Sequence, residues 1–108
     1  MDANAVLQGT LDLMVLKTLE AMGPLHGYGL ARRIEQVSGN ALLLNQGTIY
    51  ASLVRLLHKG WIRSEWGTSE TNRRAKFYAL TPRGRAQLRE QAASWERIAA
   101  LMTRVLEQ

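Results

Sequence analysis

The last quarter of this 108-residue chain carries a heptad repeat. Leu88, Ala92, Trp95, Ala99, Met102 and Leu106 are separated by four, three, four, three and four residues, the spacing that keeps one side of an α-helix apolar over successive turns. Ile98, Leu101 and Val105 widen that stripe. Thr81 is suited to capping such a helix, and Pro82 to its first position. A helix from Pro82 to the end of the chain would be roughly 40 Å long at its usual rise per residue. That is longer than a domain built from the preceding ~80 residues needs to cover itself. The surplus stripe calls for a partner helix, most simply the same helix of a second copy. Purely intramolecular packing is the alternative.

Upstream, three shorter helical periodicities precede two strand-like runs. Leu7 to Met22 reads as a helix, with Leu7, Leu11, Met14, Val15, Thr18, Leu19 and Met22 at spacings of three and four. Leu13 and Leu16 lie off that stripe, so the segment is apolar on nearly every side, as in a helix covered on two faces. Gly23-Pro24 stops it. A second helix spans Gly27 to Val37, with Leu30, Ala31, Ile34 and Val37 inward and Arg32, Arg33, Glu35 and Gln36 outward. His26, just before it, reads as a packing or capping residue. Ala41 to Leu44 is a brief apolar stretch that periodicity cannot assign to strand or loop.

A third helix spans Gly47 to His58, and Gly60 ends it. Ile49, Leu53, Leu56 and Leu57 form its core stripe. The opposite side is expected to present Thr48, Ala51, Ser52, Arg55 and Lys59. Tyr50 lies at the flank, either as a core-edge tyrosine with its hydroxyl in water or as a residue that reaches a phosphate. Trp61–Trp66 and Ala75–Leu80 then read as the arms of a β-hairpin around a polar, turn-rich connection from Gly67 to Arg74.

Three helices, a hairpin and a long helix make a mainly α fold with a small β-hairpin. The order is that of a winged helix-turn-helix domain (residues 1–80) followed by a C-terminal dimerisation helix (residues 81–108). Charge points the same way. The net charge is +5, and residues 26–85 hold 10 of the 14 Lys and Arg against 3 acids. A localised basic region is the footprint of a polyanion partner, although a solvated surface would also fit. The major groove of DNA admits one α-helix, and the polar face with Thr48, Ser52 and Arg55 suits it, flanked by Tyr50 and Lys59. Arg73, Arg74 and Lys76 on the hairpin suit phosphates. Arg32 and Arg33 are further candidates, because the second helix of such a domain commonly crosses the DNA backbone.

These residues also support a resemblance. Gly9-Thr10-Leu11-Asp12-Leu13, Leu25-His26-Gly27-Tyr28-Gly29-Leu30, Gln46-Gly47-Thr48-Ile49-Tyr50, Leu56-Leu57-His58-Lys59-Gly60-Trp61-Ile62 and Arg73-Arg74-Ala75-Lys76-Phe77-Tyr78-Ala79-Leu80-Thr81 occur in order and at winged-helix spacing. From Gly9 to about Leu106 the chain resembles the PadR family of bacterial transcriptional regulators, in its short form with one C-terminal helix. The resemblance implies a homodimer that binds a palindromic promoter site in double-stranded DNA, usually to repress. It implies that Gly47-Thr48-Ile49-Tyr50 opens the recognition helix and that Arg73 to Lys76 belong to the wing. Effectors differ across the family, so none carries over. Leu57-His58-Lys59-Gly60 departs from many relatives, which carry acidic residues near this point.

Other function classes find little support. There is no cysteine, which removes thiolate chemistry and cysteine metal sites. The two histidines, His26 and His58, have no metal-ligand spacing, and neither Gly-x-Ser-x-Gly nor a phosphate loop is present. No enzyme activity, metal or cofactor is expected. A protein-interaction module with a basic face is the competing class. No apolar run approaches the ~20 residues of a membrane span, and the opening residues do not read as a signal peptide, so a cytoplasmic location is expected. Trp95, between Ala92 and Ala99, carries two readings. It packs in the seam between subunits, or it walls an apolar gap there that takes a small planar aromatic effector and alters the spacing of the two recognition helices.

Overall fold

The computed structural model describes residues 8–108. The helices are α1 (Gln8–Met22), α2 (Gly27–Val37), α3 (Gln46–His58) and α4 (Pro82–Leu106), and the strands are β1 (Leu25–His26), β2 (Ile62–Thr68) and β3 (Arg74–Leu80). The three strands form one antiparallel sheet in the order β1-β3-β2. The short strand β1, which pairs Leu25 with Tyr78 and His26 with Phe77, is too brief for any period to reveal it. Leu7 lies outside the described residues.

Helices α2, α3 and α4 each start at a side chain that caps them. The backbone N–H of Gly29 donates to His26 Nδ1 at 3.0 Å, so His26 caps α2. The backbone N–H of Thr48 donates to Asn45 Oδ1 at 2.8 Å, capping α3. Thr81 Oγ1 accepts from the backbone N–H of Gly84 at 3.0 Å and donates to the carbonyl of Gly60 at 2.8 Å. These caps satisfy N–H groups that the first helical turn leaves without partners. Gly60 ends α3 with φ +74°, a backbone state that favours glycine. Gly84 answers a different need. A Cβ there would lie 1.9 Å from the carbonyl oxygen of Trp61, so only glycine lets α4 come this close to the chain leaving α3.

The core draws on every helix. Leu11, Val15, Leu16 and Leu19 of α1 meet Leu30, Ala31 and Ile34 of α2, and Ile49, Leu53 and Leu56 of α3. Leu42 and Leu44 close it from the loop before α3, while Leu43 between them points out. That loop is the apolar stretch of 41–44, which forms no strand element. Ile62 and Tyr78 cover the core from the sheet.

Leu88 completes the core from α4, 3 % exposed, and this corrects one expectation. Leu88 is not available for a seam between subunits, because the first turns of α4 lie on the body of their own chain. The rest of the helix projects. Trp95, Ile98, Leu101, Met102, Val105 and Leu106 are all at least half exposed, and the molecule is 54 Å in its longest dimension.

Candidate nucleic-acid interface

One face of the molecule gathers the N-terminus of α3, the start of α2 and the hairpin. A groove of about 760 Å³ runs between them, lined by Tyr28, Gln46, Tyr50, Glu70, Arg73, Arg74 and Lys76 among others. The sheet register explains the arrangement. Side chains alternate across a strand, so Arg74 and Lys76 of β3 share a side with their cross-strand neighbours Thr68 and Trp66. The guanidinium carbon of Arg74 stands 4.7 Å from the Trp66 ring centroid, and Lys76 Nζ stands 5.6 Å from it. Both cations are exposed, and the ring face attracts them. Arg73 is exposed at the hairpin tip, where the backbone N–H of Ser69 donates to its carbonyl at 2.8 Å.

The tip of the wing faces back toward the start of α2. His26 Nδ1 accepts from Gly29, and Nε2 across the ring stands 3.7 Å from Glu70 Oε1. The ring meets Phe77 edge-on at 5.4 Å. One side chain thus caps α2, backs β3 and faces an acid of the wing.

The structure places the remaining expected residues unevenly. Tyr50 is 64 % exposed and lines the groove, which settles its position on the surface. Burial, and secondarily the neighbouring Tyr50, holds the phenol of Tyr78 above the usual tyrosine range. Thr48 is half-buried, and its hydroxyl donates to Asn45 Oδ1 at 2.9 Å. Lys59 is exposed at the end of α3, its ammonium 4.6 Å from the Trp61 ring centroid. Arg32 and Arg33 are exposed on α2.

Ser52 is a second correction, because it faces the interior and is fully buried. Its hydroxyl donates to Asp12 Oδ1 of α1 at 2.5 Å. Arg55 is drawn to the same carboxylate, donating from Nε to Oδ2 at 3.1 Å and from Nη2 to Oδ1 at 2.7 Å. The bond to Asp12 holds the Arg55 guanidinium protonated more firmly than usual. The side chains of Asp12 and Arg55 are 6 % and 27 % exposed, so the pair lies at the edge of the interior. A polar pair inside α3 was invisible without Asp12, forty residues away. The outward side of α3 instead presents Gly47, Tyr50, Ala51, Val54 and His58. Val54 escaped the sequence reading as one apolar residue beside the core stripe, and His58 because it was read only as the end of the helix. Tyr28, also exposed, was missed because nothing in its neighbourhood marks it.

A second, apolar groove of about 630 Å³ lies at the opposite end. It is bounded by Leu13 and Met14 of α1, Ile34 and Val37 of α2, and Ala92 and Trp95 of α4. Among the described residues no cluster of His, Cys, Asp and Glu is placed to hold a metal ion. No helix among them is long and apolar enough to cross a membrane.

Comparison with known proteins gives these surfaces a context. Residues 15–90 match the model of the transcriptional regulator PadR-like family. The chain is 40 % identical over 87 residues to a 37.1 kDa protein of a Streptomyces fradiae transposon, covering 81 % of this chain and 23 % of that one. It therefore spans less than a quarter of that relative. Among solved structures, a transcriptional regulator from Clostridium thermocellum superposes with a TM-score of 0.82 at 26 % identity, over 93 % of this chain and 96 % of that one. The Bacillus subtilis PadR in complex with operator DNA superposes with a TM-score of 0.66 at 26 % identity, over 76 % of this chain and 46 % of that one.

Proposed function

The chain belongs to the PadR-like family of transcriptional regulators, and we propose that it represses transcription by binding, as a homodimer, a palindromic site in promoter DNA. The observation that carries this reading is the shared groove of α3 and the wing, where Tyr50 lies alongside Arg73, Arg74 and Lys76. An exposed helix supplies a face narrow enough for the major groove. The wing cations beside it neutralise phosphates, release counterions and fix the register of the helix on the duplex. The solved complex of the B. subtilis PadR with operator DNA supports a DNA partner. In this reading Tyr50, Lys59, Arg32 and Arg33 add contacts from α3 and α2. Arg55, held on Asp12, offers its remaining N–H groups to a phosphate at the rim. The site of action is the cytoplasm, where promoter DNA lies.

The projecting part of α4 supports the homodimer in this reading. Trp95, Met102 and Leu106, with Ile98, Leu101 and Val105 beside them, leave an apolar surface that water disfavours. The apolar groove bounded by Ala92 and Trp95 gives the same helix of a second copy a place to lie. Ala99, half-buried on α4, leaves room for close approach. In this division of labour residues 1–80 read DNA and residues 81–108 pair the copies, the first turns of α4 serving both. Trp95 also offers a planar aromatic effector a wall on which to stack, and a ligand between two copies would alter half-site spacing.

The test is a footprint on the DNA upstream of the gene itself, combined with binding measured at several salt concentrations. Protection of an inverted repeat, with affinity falling log-linearly in salt, is the expected result. Uniform binding to any duplex, or none to any, contradicts the proposal. For the effector, tryptophan fluorescence titrated with planar aromatic compounds, with Trp95→Ala as control, separates stacking from simple packing.

A further inference from the structure

The recognition helix carries a chemical preference that its outward side chains make specific. Asp12 holds Ser52 inside and holds Arg55 at the edge. Asn45 engages the hydroxyl of Thr48. These polar side chains, which sequence alone assigns to base contact, are committed to the protein. What remains outward on α3 is Gly47, Tyr50, Ala51 and Val54, between Gln46 at the first residue and His58 at the last. At 3.6 residues per turn these four fall within roughly a third of the helix circumference. The face is small and apolar at its centre, and Val54 is 41 % exposed there. An isolated exposed valine is ordinary on a protein surface. This one lies one turn beyond Tyr50, which lines a groove with three wing cations.

From this we infer that Val54, with Ala51 leaving room beside it, reads thymine through its C5-methyl group. The inference rests on the DNA-binding reading above and names which part of the base pair the helix recognises. The thymine methyl is the one apolar group that base edges present in the major groove, and aliphatic side chains meet it by contact rather than by hydrogen bonds. A helix with a polar outward face would discriminate by donors and acceptors. This helix has few to offer at its centre, whereas the cations that bind phosphate stand off to the side on the wing. Affinity and base preference are thus carried by different elements.

The experiment uses the full chain and duplexes selected from a random pool by binding to it. Thymines of a selected duplex are then replaced by deoxyuridine in symmetric pairs, a change that removes the methyl and leaves every hydrogen-bonding group in place. At one pair or more, affinity is expected to fall about fourfold per methyl, from the usual worth of one buried carbon, or roughly fifteenfold for the pair. Val54→Ala, at an exposed position that leaves the core untouched, should abolish that difference at one of these pairs while binding the duplex still. A selected duplex on which deoxyuridine is without effect at every position overturns the inference and leaves DNA binding intact. So does a Val54→Ala variant that keeps full methyl sensitivity at every pair. A selection that returns no duplex overturns the DNA-binding reading itself, and the inference falls with it.

Discussion

At the α3 and wing end, several charged side chains already have partners within the fold. Trp66 gathers Arg74 and Lys76, His26 faces Glu70 across the wing, and Asp12 grips Arg55. At the α4 end, Trp95, Ile98, Leu101, Met102, Val105 and Leu106 stand at least half exposed along one projecting helix. Ordering a side chain costs conformational entropy when a contact forms. The first surface has met much of that cost within the fold, as a surface for recognising a fixed shape should. The second leaves apolar area to be covered, as a surface for association should. The difference separates two kinds of surface, one whose attraction for a charged partner salt screens, the other hydrophobic and not subject to that screening.

Mutations at each end should therefore fail in different ways. The largest effect is expected from Leu101→Glu with Met102→Glu, which would place carboxylates on the exposed apolar side of α4, the proposed seam. If α4 pairs the copies as proposed, sedimentation should find the wild type dimeric and the variant monomeric, and a variant dimer of unchanged stability would break the comparison. Next comes the replacement of Arg73, Arg74 and Lys76 by Ala. If each cation meets a phosphate as proposed, their loss should weaken DNA binding by about two to three orders of magnitude near 0.1 M salt and flatten the salt slope by about three. Gel filtration should find the dimer intact. An unchanged slope would take these cations off the DNA.

Two smaller effects test how the first surface is held. Asp12→Ala strips Ser52 and Arg55 of their shared acceptor. Removing one partner of a buried pair costs more, but Arg55 is partly solvated, so a loss of about 2 kcal/mol is expected. Urea denaturation measures it, and a loss below about 0.5 kcal/mol would make the network ornamental. Trp66→Leu is expected to do least. It removes the ring that gathers Arg74 and Lys76, worth about 0.5–1 kcal/mol at an exposed site, so operator affinity should drop a few-fold with the salt slope unchanged.

What the sequence revealed divides along physical lines. Element order, helix ends and the projecting α4 were legible because caps, glycines and heptads act within a few residues. Pro82 and Thr81 mark the start of α4 where the structure has it, and the hairpin cations lie on the wing. The phase of α3 was not legible. Apolar spacing alone left Ser52 outside, and only its partner Asp12 on α1 turns that polar residue inward. Leu88 fits the heptad as well as Met102 does, yet one is buried in its own subunit and the other exposed. A repeat records which side of a helix is apolar, not which neighbour covers each turn. The strand β1 and the outward place of Val54 likewise depend on contacts distant in the chain.

The clasp at the root of α4 has a mechanical meaning. Thr81 bonds through its hydroxyl to the carbonyl of Gly60 and through its backbone N–H to that of Trp61, and Gly84 sits hard against the latter. Helix α4 is therefore fixed where the chain leaves α3 and, with Leu88 buried, becomes a lever only beyond that residue. Over the roughly 27 Å that remain, a tilt of about 5° swings the far end by about 2 Å. In the proposed homodimer, a shift of the two lever tips against each other would also change the distance between the α3 helices near their roots.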